Sequence, residues 1–237
     1  MSTKKSLIIL SILAFCSAPS FAQDSQDHDP SDVSKPITSF MVGVTNTGDV
    51  KGFGSYAFDV NDSQKGMLLL EGDMSSEGDY KSSRIQYFQA FFTGSPIAPV
   101  AAASLDIIDN DAMTSISLGG LVAVTPTEKF SMYLRAGLLG GQYKSDMTDL
   151  HGVNDDSATG GTAAAWFTYK TGADGTYVTF HPEYIYVDGD IETETLKTSY
   201  RIGTPLNTSQ TQWGEFRIDN TSGSVKSTNR TDDIDDT

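Results

Sequence analysis

The chain of 237 residues carries 16 basic and 31 acidic side chains, a formal charge of −15, and a single cysteine, Cys16. So acidic a chain excludes nucleic-acid backbones and anionic membrane surfaces as partners, because both repel it. One cysteine closes no internal disulfide, so stability has to come from backbone pairing and burial.

Residues 1–22 place Lys4 and Lys5 before the apolar run LIILSILAF and end on Ser20-Phe21-Ala22, the order of a secretory signal peptide cleaved after Ala22. The apolar run is too short to cross a bilayer as a helix. Phe15, just before Cys16, is bulky where a lipoprotein signal takes a small residue, so lipidation is not expected. Cleavage removes two lysines and the cysteine, which leaves the exported chain more acidic and free of thiols. Residues 23–37 are polar, acidic and proline-containing, and read as a flexible leader.

No later stretch is apolar for long enough to form a transmembrane helix. Ten strands are predicted instead, at 38–45, 52–60, 66–73, 83–92, 99–108, 113–124, 130–143, 161–170, 176–187 and 192–203. They form one domain over 38–203. Residues 204–237 read as a polar C-terminal tail whose last stretch, TDDIDDT, is expected to be disordered. Within that tail TQWGEFRID alternates weakly; counted as an eleventh strand, it would need a twelfth near 223–228.

The most informative stretch is SISLGGLVAV, the turn TPTEK and FSMYLRAGLLGGQY. Phe130, Met132, Leu134, Ala136 and Leu138 fall on one face of the second arm, against Ser131, Tyr133, Arg135, Gly137 and Gly141. In the first arm Ile116, Leu118, Val122 and Val124 oppose Ser115, Ser117, Gly119 and Ala123. This period of two describes an antiparallel hairpin. A soluble sandwich buries the apolar face, whereas a membrane barrel turns it to lipid and keeps small or charged residues inside. Both arms reach the roughly 9–11 residues that a tilted strand needs to cross a bilayer. The expected fold is all-β, an antiparallel up-and-down transmembrane β-barrel of about ten strands, or twelve if the tail adds a hairpin. The rival is a secreted soluble β-sandwich or barrel that binds a ligand, with Leu118, Leu134 and Leu138 in its core.

Aromatic placement favours the barrel. Tyr56, Phe58, Tyr87, Phe91, Phe130, Phe167, Tyr169, Phe180, Tyr184, Tyr186 and Tyr200 fall on outward faces, as interfacial girdles do. Pro182 removes a ladder donor in mid-strand, and a bulge is expected there. With the N-terminus in the periplasm, the longer connections, such as 75–81 and 144–160, face outward, and short turns at 61–65, 125–129 and 172–175 face inward.

The FSMYLRAG alternation after the TPTEK turn resembles the central hairpin of OmpA-type barrels, and TLKTSYRIG resembles their closing strand. Across 65–203 the order of KGMLLLEGDMSSEGDY, PIAPV, SISLGGLVAVTPTEKFSMY and PEYIYVDGD is more similar still to the YfaZ-type outer membrane proteins. The resemblance implies a place in the outer membrane, contact with its lipids and lipopolysaccharide, and insertion by the barrel assembly machinery. Such barrels usually end on an aromatic residue of the last strand, whereas here Gly203 is followed by polar sequence.

Alternation places Asp59, Glu71, Arg84, Asp106, Arg135, Lys170, His181, Glu183, Lys197 and Arg201 on inward faces. Charges in a closed interior must pair or hold water. They either line a narrow, porin-like passive pore or form a salt-bridged filling, and the small bore of about ten strands favours the filling. His181 and Glu183 share a face and have the spacing of an acid–base pair or half a metal site, but one histidine and one carboxylate are too few ligands. His151 lies in an acidic loop with Asp146, Asp149, Asp155 and Asp156, which invites comparison with the rim catalysts of omptin-type barrels. The loop reads first as flexible and solvated. It lacks the ligand spacing of an EF-hand. Carboxylates at Asp79, Asp109, Asp111, Asp188 and Asp190 would lie on the same outer side, where divalent ions could bridge them to lipopolysaccharide phosphates. No G-x-S-x-G elbow occurs. No enzymatic activity, cofactor or resident metal is expected.

Overall fold

The computed structural model describes residues 29–236; the signal peptide read at 1–22 and the start of the leader lie outside the described residues. Period-two alternation becomes twelve strands: β1 (Ser39–Val44), β2 (Val50–Asn61), β3 (Gln64–Met74), β4 (Tyr80–Phe92), β5 (Val100–Asn110), β6 (Met113–Thr127), β7 (Phe130–Tyr143), β8 (Ser157–Lys170), β9 (Tyr177–Gly189), β10 (Ile191–Pro205), β11 (Trp213–Ser227) and β12 (Thr231–Asp236). Each pairs antiparallel with the next, giving one up-and-down sheet in chain order. This is the expected all-β antiparallel fold. Its edge strands, β1 and β12, are not hydrogen-bonded to each other.

The strand count corrects the preferred reading of ten. Residues 204–237, read as a tail, contain β11 and β12, and the supposedly disordered TDDIDD pairs with Thr221–Lys226 of β11. Strand β11, the weakly alternating TQWGEFRID, gives only a faint signal because its inner face carries Glu215, Arg217 and Asp219, leaving Phe216 and Ile218 as a short apolar row on the other side. The Ala-rich segment forms β5 in full: Ala102, Ser104 and Asp106 are buried, and Leu105 and Ile107 alternate with them on the exposed face.

The two faces of the sheet differ in chemistry. Leu118, Leu134 and Leu138 are 63%, 44% and 75% exposed on the outer face, among Leu68, Leu70, Ile85, Ile107, Ile116, Tyr200 and Ile202. Phe167, Phe180 and Tyr200 form an outer aromatic row across β8–β10, with ring centroids 6.2 and 5.1 Å apart. The inner face is filled at one end by Phe88, Ala90, Val100, Ala102, Leu121, Ala123 and Tyr133, and at the other by Tyr143, Ala158, Val187 and Ile191.

Residues 29–37 enter the first of these ends. The repeated Asp-x-Ser pattern explains how: Asp29 accepts from the Ser31 amide at 3.0 Å, and Asp32 accepts from the Ser34 amide at 3.1 Å and its hydroxyl at 2.6 Å. These are two successive Asx turns. They bury Ser31 and Ser34 and direct Val33 against the Phe88–Tyr133 cluster. The described part of the leader is therefore folded, in place of the expected flexible segment.

Three further expectations change. No bulge occurs at Pro182: β8–β9 pairing lapses between Ala164–Glu183 and Phe167–Phe180, and the register is the same on both sides. The acidic loop contains a helix, α1 (Ser145–His151), which ends on Gly152 at φ 64°, the left-handed conformation that glycine adopts without strain. The connections at the end opposite residues 29–37 are not uniformly longer. That end has the helical 144–156 loop but also the minimal turn at 111–112, while the other end has 93–99 and 206–212.

Candidate functional site

The inner face lines a cavity of about 390 Å³ whose wall draws side chains from every strand from β1 to β11. Seven of the ten residues placed inside by alternation lie on it: Glu71, Arg84, Arg135, His181, Glu183, Lys197 and Arg201. Asp106 lies behind this wall, fully buried. Lys170 lies at the end occupied by the leader. Asp59 does not belong to the interior: its side chain is 80% exposed and sits 3.8 Å from Lys65. Asp59 keeps the register of β2, paired with Lys65, but it lies at the end of the strand next to the 62–63 turn, beyond the enclosed part of the inner face.

Two charge clusters organise the cavity. In the first, Asp106 accepts from Arg84 Nε at 2.8 Å, Gln86 Nε2 at 2.7 Å and Arg135 Nη2 at 2.9 Å. Each carboxylate oxygen thus faces a cation, the condition under which a buried charge is tolerated. Glu71 approaches Arg84 from the other side at 4.0 Å. In the second, Asp219 accepts from Arg217 Nε at 2.6 Å and stands 3.8 Å from Lys197, while Arg217 Nη2 reaches Ser199 Oγ at 3.3 Å. Beside it the Tyr177 hydroxyl donates to Glu215 at 2.8 Å. His181 stacks on Trp166 with ring centroids 4.1 Å apart and planes 10° from parallel. The lapse in β8–β9 pairing falls at these two residues. Gln86, Glu215, Arg217 and Asp219 were missed by the sequence reading, the last three because β11 was read as tail. The signal was present in W-G-E-F-R-I-D, where every second residue is charged.

The leader closes one end of this interior. Lys170 donates to Asp29 at 2.6 Å. Burial opposes ionisation of Asp29, but the Lys170 ammonium and the Ser31 hydroxyl outweigh it and hold the carboxyl below its ordinary value of 3.8. At the opposite end a second cavity, of about 640 Å³, is lined by Asp49, Asp73, Lys81, Asp111 and Asp219, and shares Lys51 with the first. Two ion pairs line it, Lys81 donating to Asp49 at 2.6 Å and Lys51 to Asp73 at 3.0 Å; outside the lining Lys144 donates to Asp109 at 3.1 Å. The Lys81 hydrogen bond holds the Asp49 carboxyl below its ordinary range.

In the acidic loop Asp149 stands two residues before His151, but the two side chains differ in exposure. Asp149 is exposed, whereas His151 is buried with Nδ1 3.2 Å from Ser227 Oγ. His151 fastens α1 to the β11–β12 turn. Among the described residues no three His, Cys, Asp or Glu side chains gather as a metal site. Comparison with family models, curated proteins and solved structures returned no match.

Proposed function

We propose that this chain is an integral outer membrane β-barrel protein, structural or passively conducting rather than enzymatic, with a narrow salt-bridged lumen stoppered at one end by residues 29–37. One observation carries the reading: the face inversion of the sheet. A water-exposed sheet does not present Leu118, Leu134, Leu138 and Ile116 outward while enclosing Asp106, Arg84, Arg135 and Arg201. In a bilayer the arrangement has the right sign, with apolar residues and the aromatic row toward lipid and charge toward the lumen. The soluble ligand-binding rival required the three leucines in a core, and they are exposed.

Kinship with the YfaZ and OmpA-type barrels rests on the motifs quoted above. Outer membrane location rests on the signal peptide together with this inverted sheet. Lipids, lipopolysaccharide and the assembly machinery are the partners that follow. Free strand edges cannot persist in hydrocarbon, so the membrane form requires the edges to be paired.

The test sets Leu134→Arg against Ser131→Arg. Leu134 is on the outer face and Ser131 on the inner. In the outer membrane fraction the wild type should migrate differently on a denaturing gel with and without boiling. Leu134→Arg should abolish that shift, since a mid-bilayer arginine costs about 2–4 kcal/mol on the lipid face, whereas Ser131→Arg should retain it. The opposite ranking, or wild-type protein recovered in the soluble fraction without a shift, refutes the proposal.

A further inference from the structure

The inner wall formed by β9–β11 holds polar groups that no other described residue satisfies. His181 is only 6% exposed, yet among the described residues neither ring nitrogen has a hydrogen-bond partner. One ring face is covered by Trp166, so its free nitrogens can be met only from the ring edge. The Nε of Arg201 is likewise buried without a partner. Arg201 stands directly opposite Arg217 in the β10–β11 register, a like-charge pairing that opposes sheet stability unless something negative lies between them. The cations Arg201, Arg217 and Lys197 border the cavity with His181, and the carboxylates on this wall are Glu183, Glu215 and Asp219. Asp219 is occupied by Arg217 and Lys197, and Glu215 receives the Tyr177 hydroxyl. All four basic side chains border the same cavity of about 390 Å³.

From this geometry we infer that the lumen contains a binding site for a small oxyanion, phosphate or an anion of similar size, held by Arg201 and Arg217 with His181 donating from the ring edge. An oxyanion supplies acceptors for the unpaired Arg201 Nε and a histidine N–H and relieves the Arg201–Arg217 repulsion. Arg84 and Arg135, across the cavity, do not compete for it because Asp106 already holds them. Glu183, on the same wall, is the carboxylate that opposes binding, so its neutralisation should strengthen the site. The inference depends on the curled sheet and not on the membrane.

The probe is inorganic phosphate, titrated into the cleaved protein in lipid-free maltoside micelles at low chloride, with folding verified by the heat-dependent gel shift. The chain has two tryptophans, so a Trp213→Phe variant leaves Trp166, stacked on His181, as the sole reporter. Phosphate should change its fluorescence saturably. Arg201→Gln should weaken binding by at least about tenfold, Glu183→Gln should tighten it, and Lys81→Gln, at the rim, should leave it unchanged. If Arg201→Gln loses the gel shift, His181→Phe is the second variant and should show a comparable loss. Absence of saturable binding in folded protein, equal binding by the folded Arg201→Gln or His181→Phe variant, or binding that requires added phospholipid overturns the site while leaving the barrel proposal standing. A wild type that is soluble without detergent and shows the same variant ranking overturns the barrel and retains the site.

Discussion

Arg135 on β7 reaches past β6 to Asp106 on β5, placing Nη2 2.9 Å from a carboxylate with no exposed surface. Gly119 on β6 lies beneath that route: a Cβ there would stand 3.2 Å from the Ala136 carbonyl oxygen and in contact with Arg135 Nε and Ser104 Oγ. Arg84 and Gln86 approach the same carboxylate from β4, so one aspartate ties together three strands, β4, β5 and β7, across β6.

Removing Asp106 therefore leaves two arginines without their partner. Asp106→Ala should cost about 3–5 kcal/mol, the range for breaking a buried ion pair from one side. The temperature at which the folded gel band disappears should fall markedly. Asp106→Asn keeps one acceptor and should fall between the two. A wild-type melting temperature for Asp106→Ala would mean that water, rather than this network, fills the wall.

The sequence made the outer face legible and left part of the inner one obscure. From β4 to β10 an apolar residue at every second position is enough to assign sides, and Arg84, Asp106, Arg135 and His181 are found where alternation places them. That rule fails where the apolar row is short. In β11 only Phe216 and Ile218 mark it, and in β12 only Ile234, so the strands that bring Arg217 and Asp219 to the cavity look like tail. Asp59 fails for a different reason: alternation gives its side but not its depth, and it stands at the strand end beside the turn, 80% exposed. Residues 29–37 look like leader by composition, and only the spacing of DPSDVS announces two Asx turns. Which of these side chains meet across the lumen follows from the curl of the sheet, which local pattern does not encode.

The Asp29–Lys170 bond makes closure of the leader end sensitive to strong acid. The Asp29 carboxyl lies below its ordinary 3.8 in the folded protein, so its stabilising contribution is complete above that value and is lost as pH falls through the lowered one. Between about pH 5 and 8 the tether should hold and single-channel conductance should stay low. It should rise several-fold in strong acid, or at neutral pH when residues 29–37 are deleted. Lys170→Met should raise the neutral-pH conductance and flatten the acid step. Equal conductance for the deletion and the wild type would remove the stopper role.

Gly203 faces inward beneath Tyr177. A Cβ at this position would overlap the ring, whose hydroxyl is committed to Glu215 at 2.8 Å. The ring cannot move aside without breaking that bond. Gly203→Val should cost about 1–3 kcal/mol, as overpacking does. Gly203→Val combined with Tyr177→Ala should recover part of the loss, because the second change removes the obstructing ring. Thermal melting of the four proteins of this cycle gives the coupling directly. Additive losses would mean that the contact relaxes at no cost.

The last prediction concerns the edges. Strand β12 covers only the Thr221–Lys226 part of β11, and β1 pairs only with β2, so among the described residues the backbone groups of Trp213–Asp219 that face away from β10, and those on the outer side of β1, have no ladder partner in this sheet. Water can satisfy such groups, but hydrocarbon cannot, and leaving them bare costs several kcal/mol each. A bilayer should therefore draw the Ser39–Val44 edge onto the uncovered part of β11, as a parallel pairing, because β1 and β11 run in the same direction. Hydrogen exchange of protein in phospholipid vesicles should show Ser39–Val44 and Trp213–Asp219 protected to a similar degree as β6 and β7. Fast exchange at both edges in vesicles would mean that the sheet remains open, and an open sheet of this composition does not span a membrane.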